Sequence, residues 1–211
     1  IAVSISFKKY QEFPITSSKD LEQIRPKRDP SLIDPYSIQG IWNALVNIRE
    51  REYKVSRNDD HGVAYLIITG YEPNKASHND NIINGVRHHL IGHQLNGNIE
   101  ETLEKGVGNQ DGAILVDKEG IMHRIGARLK NNTTLEEVAK DLKKQIGKDE
   151  AETLGFDIEV GTRHINGVYA TYLMPDTYGF TLSGKTGDVR IYHKGKIIKS
   201  TIQSEIAHNK I

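Results

Sequence analysis

The sequence predicts a single α/β domain with a mixed central β-sheet flanked by helices, and three stretches predict it. "GVAYLIITG", residues 62–70, is a short β-branched run between glycines, the pattern of a buried strand. "DGAILVDKEGIMHRIGARL", residues 111–129, reads as strand, turn at "KEG", strand. "TTLEEVAKDLKKQIG", residues 133–147, is an amphipathic helix: Thr133 or Thr134 caps it, Glu137 takes a capping-box position and Gly147 stops it. Strands and helices interleaved in this way point to layered α/β architecture.

The remaining elements follow in order. Residues 1–37, rich in Pro, Ser and charge after "AVSISF", read as an N-terminal extension or arm, leaving 38–211 as the domain. "SIQGIWNALVNIREREYK" carries Ile38, Ile41, Leu45 and Ile48 on one stripe, a helix with Ser37 as N-cap. Ile99, Leu103 and Val107 fall at helical spacing, with Gly106 as a stop signal. "TYGFTLSGKTGDVRIYHKGKII" gives strands around "GKTG" and a further turn at "KG".

Composition bounds the function. The chain has 211 residues, 36% hydrophobic and 27% charged, with net charge +0. Neutrality argues against non-specific nucleic-acid binding, which needs a basic surplus. The absence of cysteine excludes disulfides and thiolate metal sites and fits a reducing, cytoplasmic compartment. No apolar run approaches the roughly 20 residues of a membrane span. The chain begins with Ile rather than Met, which leaves an upstream anchor or domain open.

Four short patterns carry chemistry. In "NQDGAILV", Asp111 precedes a strand and can accept a hydroxyl proton or hold a divalent cation, and Gly112 admits close approach to the backbone; an Asp-Gly turn is the plainer reading. In "EVGTRHINGVYA", a polar turn sets Gly161 and Thr162 before Arg163, a planar fork suited to phosphate, and His164; a solvated loop is the alternative. "HHLIGH" places His89 and His93 four apart, a zinc pair only if helical and only with a third ligand. "SGKTG" lacks the spacing of a phosphate loop and is a hairpin turn.

Taken in order, "DGAILVDKEGIMHRIGARL", a helix, "GTRH" and "TLSGKTGDVRIYHKGKI" resemble the diadenylate cyclase family, whose DisA-N-type domain carries a DGA motif, a GTRHR-type motif and a strand ending in Ser before a hairpin. The resemblance covers roughly residues 38–200. It implies a DisA-N-like fold and an enzyme that joins two ATP molecules into cyclic di-AMP, releasing two pyrophosphates with Mg²⁺ or Mn²⁺. It implies that Asp111 serves the ribose 3′-hydroxyl and a metal, and that Gly112 and Ala113 give the nucleotide room. Leu129 would line the adenine pocket. Thr162, Arg163 and His164 would hold phosphates, with His164 a second metal ligand, and Ser183 would contact the triphosphate. One protomer binds one ATP, so a homodimer or higher oligomer completes the site. The chain departs from the family at Ile165 (a second Arg), Gly184 (often Glu) and Asn166–Gly167 (a small Ala pair). Lys185 and Lys194 are the cations available to compensate, and a nucleotide-binding module of the same fold, non-catalytic or of altered specificity, is the alternative.

Overall fold

The structure, a computed structural model, describes residues 35–55, 63–83, 88–95, 98–107, 111–130, 137, 154–157 and 160–207. All lie in the compact unit formed by residues 32–211. The arm expected over 1–37 falls outside them up to residue 34, as does the helix expected over 133–147 apart from Glu137, which is helical.

Helix α1 runs Pro35–Val55. Proline is preorganised for a first turn, so the helix starts before the expected cap, and Ser37 lies inside it. Strands follow at Tyr65–Thr69 (β1), Ile82–Ile83 (β2), Ala113–Val116 (β3), Met122–Leu129 (β4), Tyr178–Leu182 (β5), Val189–His193 (β6) and Lys196–Ser200 (β7). Helices α2 (Ala76–Asn79), α3 (Ile99–Glu101), α4 (Thr162–Leu173) and α5 (Gln203–Ala207) complete the described elements, with a π-helical stretch, Thr102–Val107, continuing α3. Gly106 sits within that stretch rather than ending a helix; a Cβ there would lie 2.5 Å from Leu90 Cδ1.

The seven strands form a mixed sheet in the order β2-β4-β3-β1-β5-β6-β7. Among the described strands, only β1 and β3 pair in parallel. Period-2 alternation divides the core in two. Tyr65 and Ile67 of β1, with Ile114 and Val116 of β3, face α1 through Ile41, Leu45 and Ile48. Leu66, Ile68, Ala113 and Leu115 face the other way, into the apolar layer that also holds Val168, Tyr169 and Ala170 of α4. Every residue of β1, β3 and β5 is buried, as covered central strands require.

The expected turns have the chemistry the sequence promised. Asp117 Oδ1 accepts from the N–H of Glu119 (2.9 Å) and of Ile121 (2.8 Å), closing the β3–β4 hairpin. The β6–β7 turn holds Lys194 and Gly195 at φ 51° and 74°, the left-handed pair of a type I′ hairpin.

Candidate active site

Strand register places the candidate residues at one end of the sheet. Ile67 pairs with Ile114, so the starts of β1 and β3 are level. Tyr65 pairs with Leu182 and Ala113 with Ala127, which brings Ser183, at the exit of β5, and Leu129, at the end of β4, to the same rim. The "SGKTGD" hairpin closes there through Ser183 N–H to Asp188 O (2.9 Å).

The GTRH stretch is not the polar turn expected of it. It is the N-cap and first turn of α4: Gly161 caps with extended backbone and offers no side chain, and Thr162, exposed, is the first helical residue. A helix start of this kind presents N–H groups and the positive end of the dipole to an anion. Arg163 projects from it and meets Asp111, Nη2 lying 3.4 Å from Oδ1, across 52 residues of sequence. With the Asp111 side chain 82% exposed, such a pair contributes little to stability. Arg163 Nε is buried and has no partner among the described residues, a donor that an anion's oxygen would satisfy.

His164 does not join them at the surface. It is 3% exposed and faces the sheet. Its Nδ1 lies 2.8 Å from Tyr192 Oη and 2.7 Å from Thr181 Oγ1, and Arg190 Nη1 is 3.4 Å from Nε2. Burial, then the charges of Arg190 and Arg163, push the imidazole down to about 3. A neutral ring packed beside a guanidinium has no approach for a cation, so the expected metal and phosphate contacts of His164 do not fit its position.

Gly112 and Ala113 also differ from expectation. At φ +95°, a Cβ on Gly112 would lie 2.6 Å from Gly126 C and 2.7 Å from Ala127 O. The close approach is by β4's own backbone, so Gly112 serves the β3–β4 pairing rather than a ligand. Ala113 (1% exposed) and Leu129 (8%) lie in the apolar layer on the sheet face that carries α4. Ser183 Oγ accepts from Thr186 N–H at 3.1 Å and so shapes the hairpin turn.

The departures from the family pattern are now located. Ile165 packs, partly buried, against the apolar layer, and Gly167 has no room for a side chain: a Cβ there would sit 2.7 Å from the Tyr192 ring. Lys185, exposed in the β5–β6 hairpin, is on the rim of Asp111, whereas Lys194 turns β6 into β7 at the opposite end. His89 and His93 occupy a turn, not a helix, so the zinc pair is not set. Among the described residues no group of three or more His, Asp or Glu is placed to hold a metal.

Sequence reasoning missed the groups behind the rim: Arg190, Tyr192, Thr181 and Glu205, all fully buried. The one readable signal was "VRIYH", where Arg190 and Tyr192 alternate with apolar Val189 and Ile191 in a strand too short to reach solvent.

No family model and no curated protein matches the sequence. Among solved structures, a hypothetical membrane spanning protein from Bacillus cereus is similar at 19% identity and TM-score 0.47, over 76% of this chain and 61% of that one. The chain thus spans less than two thirds of that protein's length. A double mutant of DacA from Staphylococcus aureus is similar at 16% identity and TM-score 0.41, over 91% of this chain and 95% of that one. No helix among the described residues is long and apolar enough to cross a membrane.

Proposed function

We propose that the chain is a divergent diadenylate cyclase, condensing two ATP into cyclic di-AMP and two pyrophosphates across a homodimer. The observation that carries this reading is the meeting of Asp111 and Arg163 at 3.4 Å, on the rim where α4 begins. An exposed carboxylate and a cation beside a helix start are the groups needed by a hydroxyl that attacks a phosphate.

In the reaction, the ribose 3′-oxygen of each ATP bonds to the α-phosphorus of the other, and the bond to pyrophosphate breaks. Asp111 accepts the hydroxyl proton or holds the hydroxyl in line. Arg163, released from Asp111, meets the charge that develops on the phosphate oxygens, with the N–H groups of the α4 start beside it. Ser183 and Lys185 line the triphosphate side, where Lys185 supplies the charge absent at Ile165. Mg²⁺ or Mn²⁺, typically held by one or two carboxylates plus substrate phosphates, would be bound by Asp111 with the nucleotide and would offset phosphate charge. Two such rims must face each other, so the second copy supplies the other half of the site.

A second reading is favoured by Ile165 and Gly184: a nucleotide-binding module that has lost turnover. Arg190, a buried cation, is neutralised by Glu205 and does not replace the missing charge. Incubation with ATP and Mn²⁺, with chromatography for cyclic di-AMP, separates the two. Product rising more steeply than linearly with dilute protein supports the dimeric enzyme; ATP binding without product supports the module; neither result sinks both.

A further inference from the structure

Behind the rim lies a line of buried polar groups that the chemistry above does not use. Arg190 of β6 and Glu205 of α5 are each fully buried. Arg190 donates Nε to Oε2 and Nη2 to Oε1, both at 2.7 Å, a bidentate fork. Ser200 Oγ donates to Oε2 at 2.6 Å, and Asp157 N–H to Oε1 at 3.3 Å. The Phe156 ring lies 5.3 Å from the guanidinium carbon. The guanidinium is thereby fixed in plane, and its remaining nitrogen, Nη1, lies 3.3 Å from His164 Nδ1 and 3.4 Å from Nε2. His164 is the next residue after Arg163 in the first turn of α4.

A buried ion pair is a costly way to hold a fold, since apolar side chains of similar volume often serve as well or better. What this one adds is direction. It brings Arg190 Nη1 to 3.3 Å from His164 Nδ1, the nitrogen that Tyr192 Oη and Thr181 Oγ1 also approach, so the ring is held among three neighbours. One backbone link further on is the residue that meets Asp111. We infer that Glu205, Arg190 and His164 form a positioning relay through which α5 holds Arg163 in place to receive an anion. The ligand in this inference rests on the nucleotide reading above; the relay itself does not. None of the three touches substrate, and each acts through Arg163.

The test uses the full chain in two forms. Glu205→Gln leaves Arg190 unpaired in the interior, which can by itself prevent folding. The paired replacement Arg190→Met with Glu205→Leu removes both charges at similar volume and keeps the question open to measurement. ATP with Mg²⁺ is titrated by calorimetry into the wild type, the paired variant, Arg163→Ala, and the paired variant combined with Arg163→Ala. The paired variant should fold and lose about tenfold in ATP affinity, the size of one misplaced charge-assisted contact. Combined with Arg163→Ala it should cost nothing more. Unchanged affinity in the paired variant, or losses that simply add, would overturn the relay. A second readout needs no nucleotide: the ¹⁵N resonance of Arg163 Nε should shift or broaden in the paired variant. If the wild type binds no ATP, the nucleotide reading fails, and this resonance alone decides the relay, an unmoved signal refuting it.

Discussion

Gly167→Ala tests how tightly α4 is fitted to the sheet. The new methyl would lie 2.7 and 2.8 Å from two Tyr192 ring carbons and 3.4 Å from Thr181 Cγ2. Unstrained carbon contacts lie near 3.5–4.0 Å, so helix or ring must yield by about 0.8 Å. Tyr192 is enclosed, and its hydroxyl is held 2.8 Å from His164 Nδ1 and 3.1 Å from Thr181 Oγ1. A shift of that size takes Oη out of hydrogen-bond range of at least one partner. Overpacking costs about 1–3 kcal/mol and the lost bond about 1. Alanine's better helix propensity returns about 1. A net loss of about 1–3 kcal/mol should appear as a lower urea midpoint at unchanged m. In a Tyr192→Leu background the obstacle is gone and the same substitution should be neutral or mildly stabilising. A midpoint unmoved in the wild-type background, or a cost that persists without the ring, would refute the steric argument.

Four further outcomes are expected. His164, depressed to about 3 by burial and then by its Arg neighbours, is neutral in the fold but takes up a proton near pH 6.5 when unfolded. Between those values the unfolded state binds more protons, so its share of stability is level above pH 6.5 and falls as pH drops through the window. The loss is about 2 kcal/mol at pH 5, seen in urea titrations and absent in His164→Gln. Asp111→Asn should abolish cyclic di-AMP formation yet change stability by less than about 0.5 kcal/mol, because the side chain is exposed; undiminished turnover would remove it from the mechanism. Arg163→Ala should weaken ATP binding by about 1.5–3 kcal/mol in calorimetry, and an unaltered affinity would count against its phosphate role. Lys185→Ala should weaken ATP binding measurably while Lys194→Ala, at the far end of the sheet, should not; the reverse order would mean the rim is misassigned.

Much of the fold was legible because it rests on local patterns. The β-branched run of β1, the turn chemistry at Asp117–Gly120 and Lys194–Gly195, and the stripe of α1 each state their structure within a few residues. Helix α4 did not, because Asn166 and Gly167 are poor helix formers and Ile165 and Val168 are β-branched. It forms because Val168, Tyr169 and Ala170 are buried where α4 packs on β1, β5 and β6, a tertiary gain that no short window contains. The same holds for the site. Asp111, Thr162 and Arg163 could be singled out by residue type, and Ser183 by the resemblance alone; register brings Asp111 and Ser183 to one rim, and the 3.4 Å contact with Asp111 adds Arg163. The inward turn of His164 could not be foreseen, because its partners Thr181, Tyr192 and Arg190 are remote in sequence. Gly112 shows the converse error: its need for no Cβ was legible, but the neighbour demanding it was a strand, not a ligand.

The pairing of β1 with β5 has a consequence for how the polypeptide is made. Tyr65 waits for Leu182, so the middle of the sheet cannot close until β5 has been synthesised. Until then β1, buried along its whole length in the finished protein, exposes an unsatisfied apolar ladder. Any product ending before β5 would keep that ladder bare and should aggregate, however intact its N-terminal half.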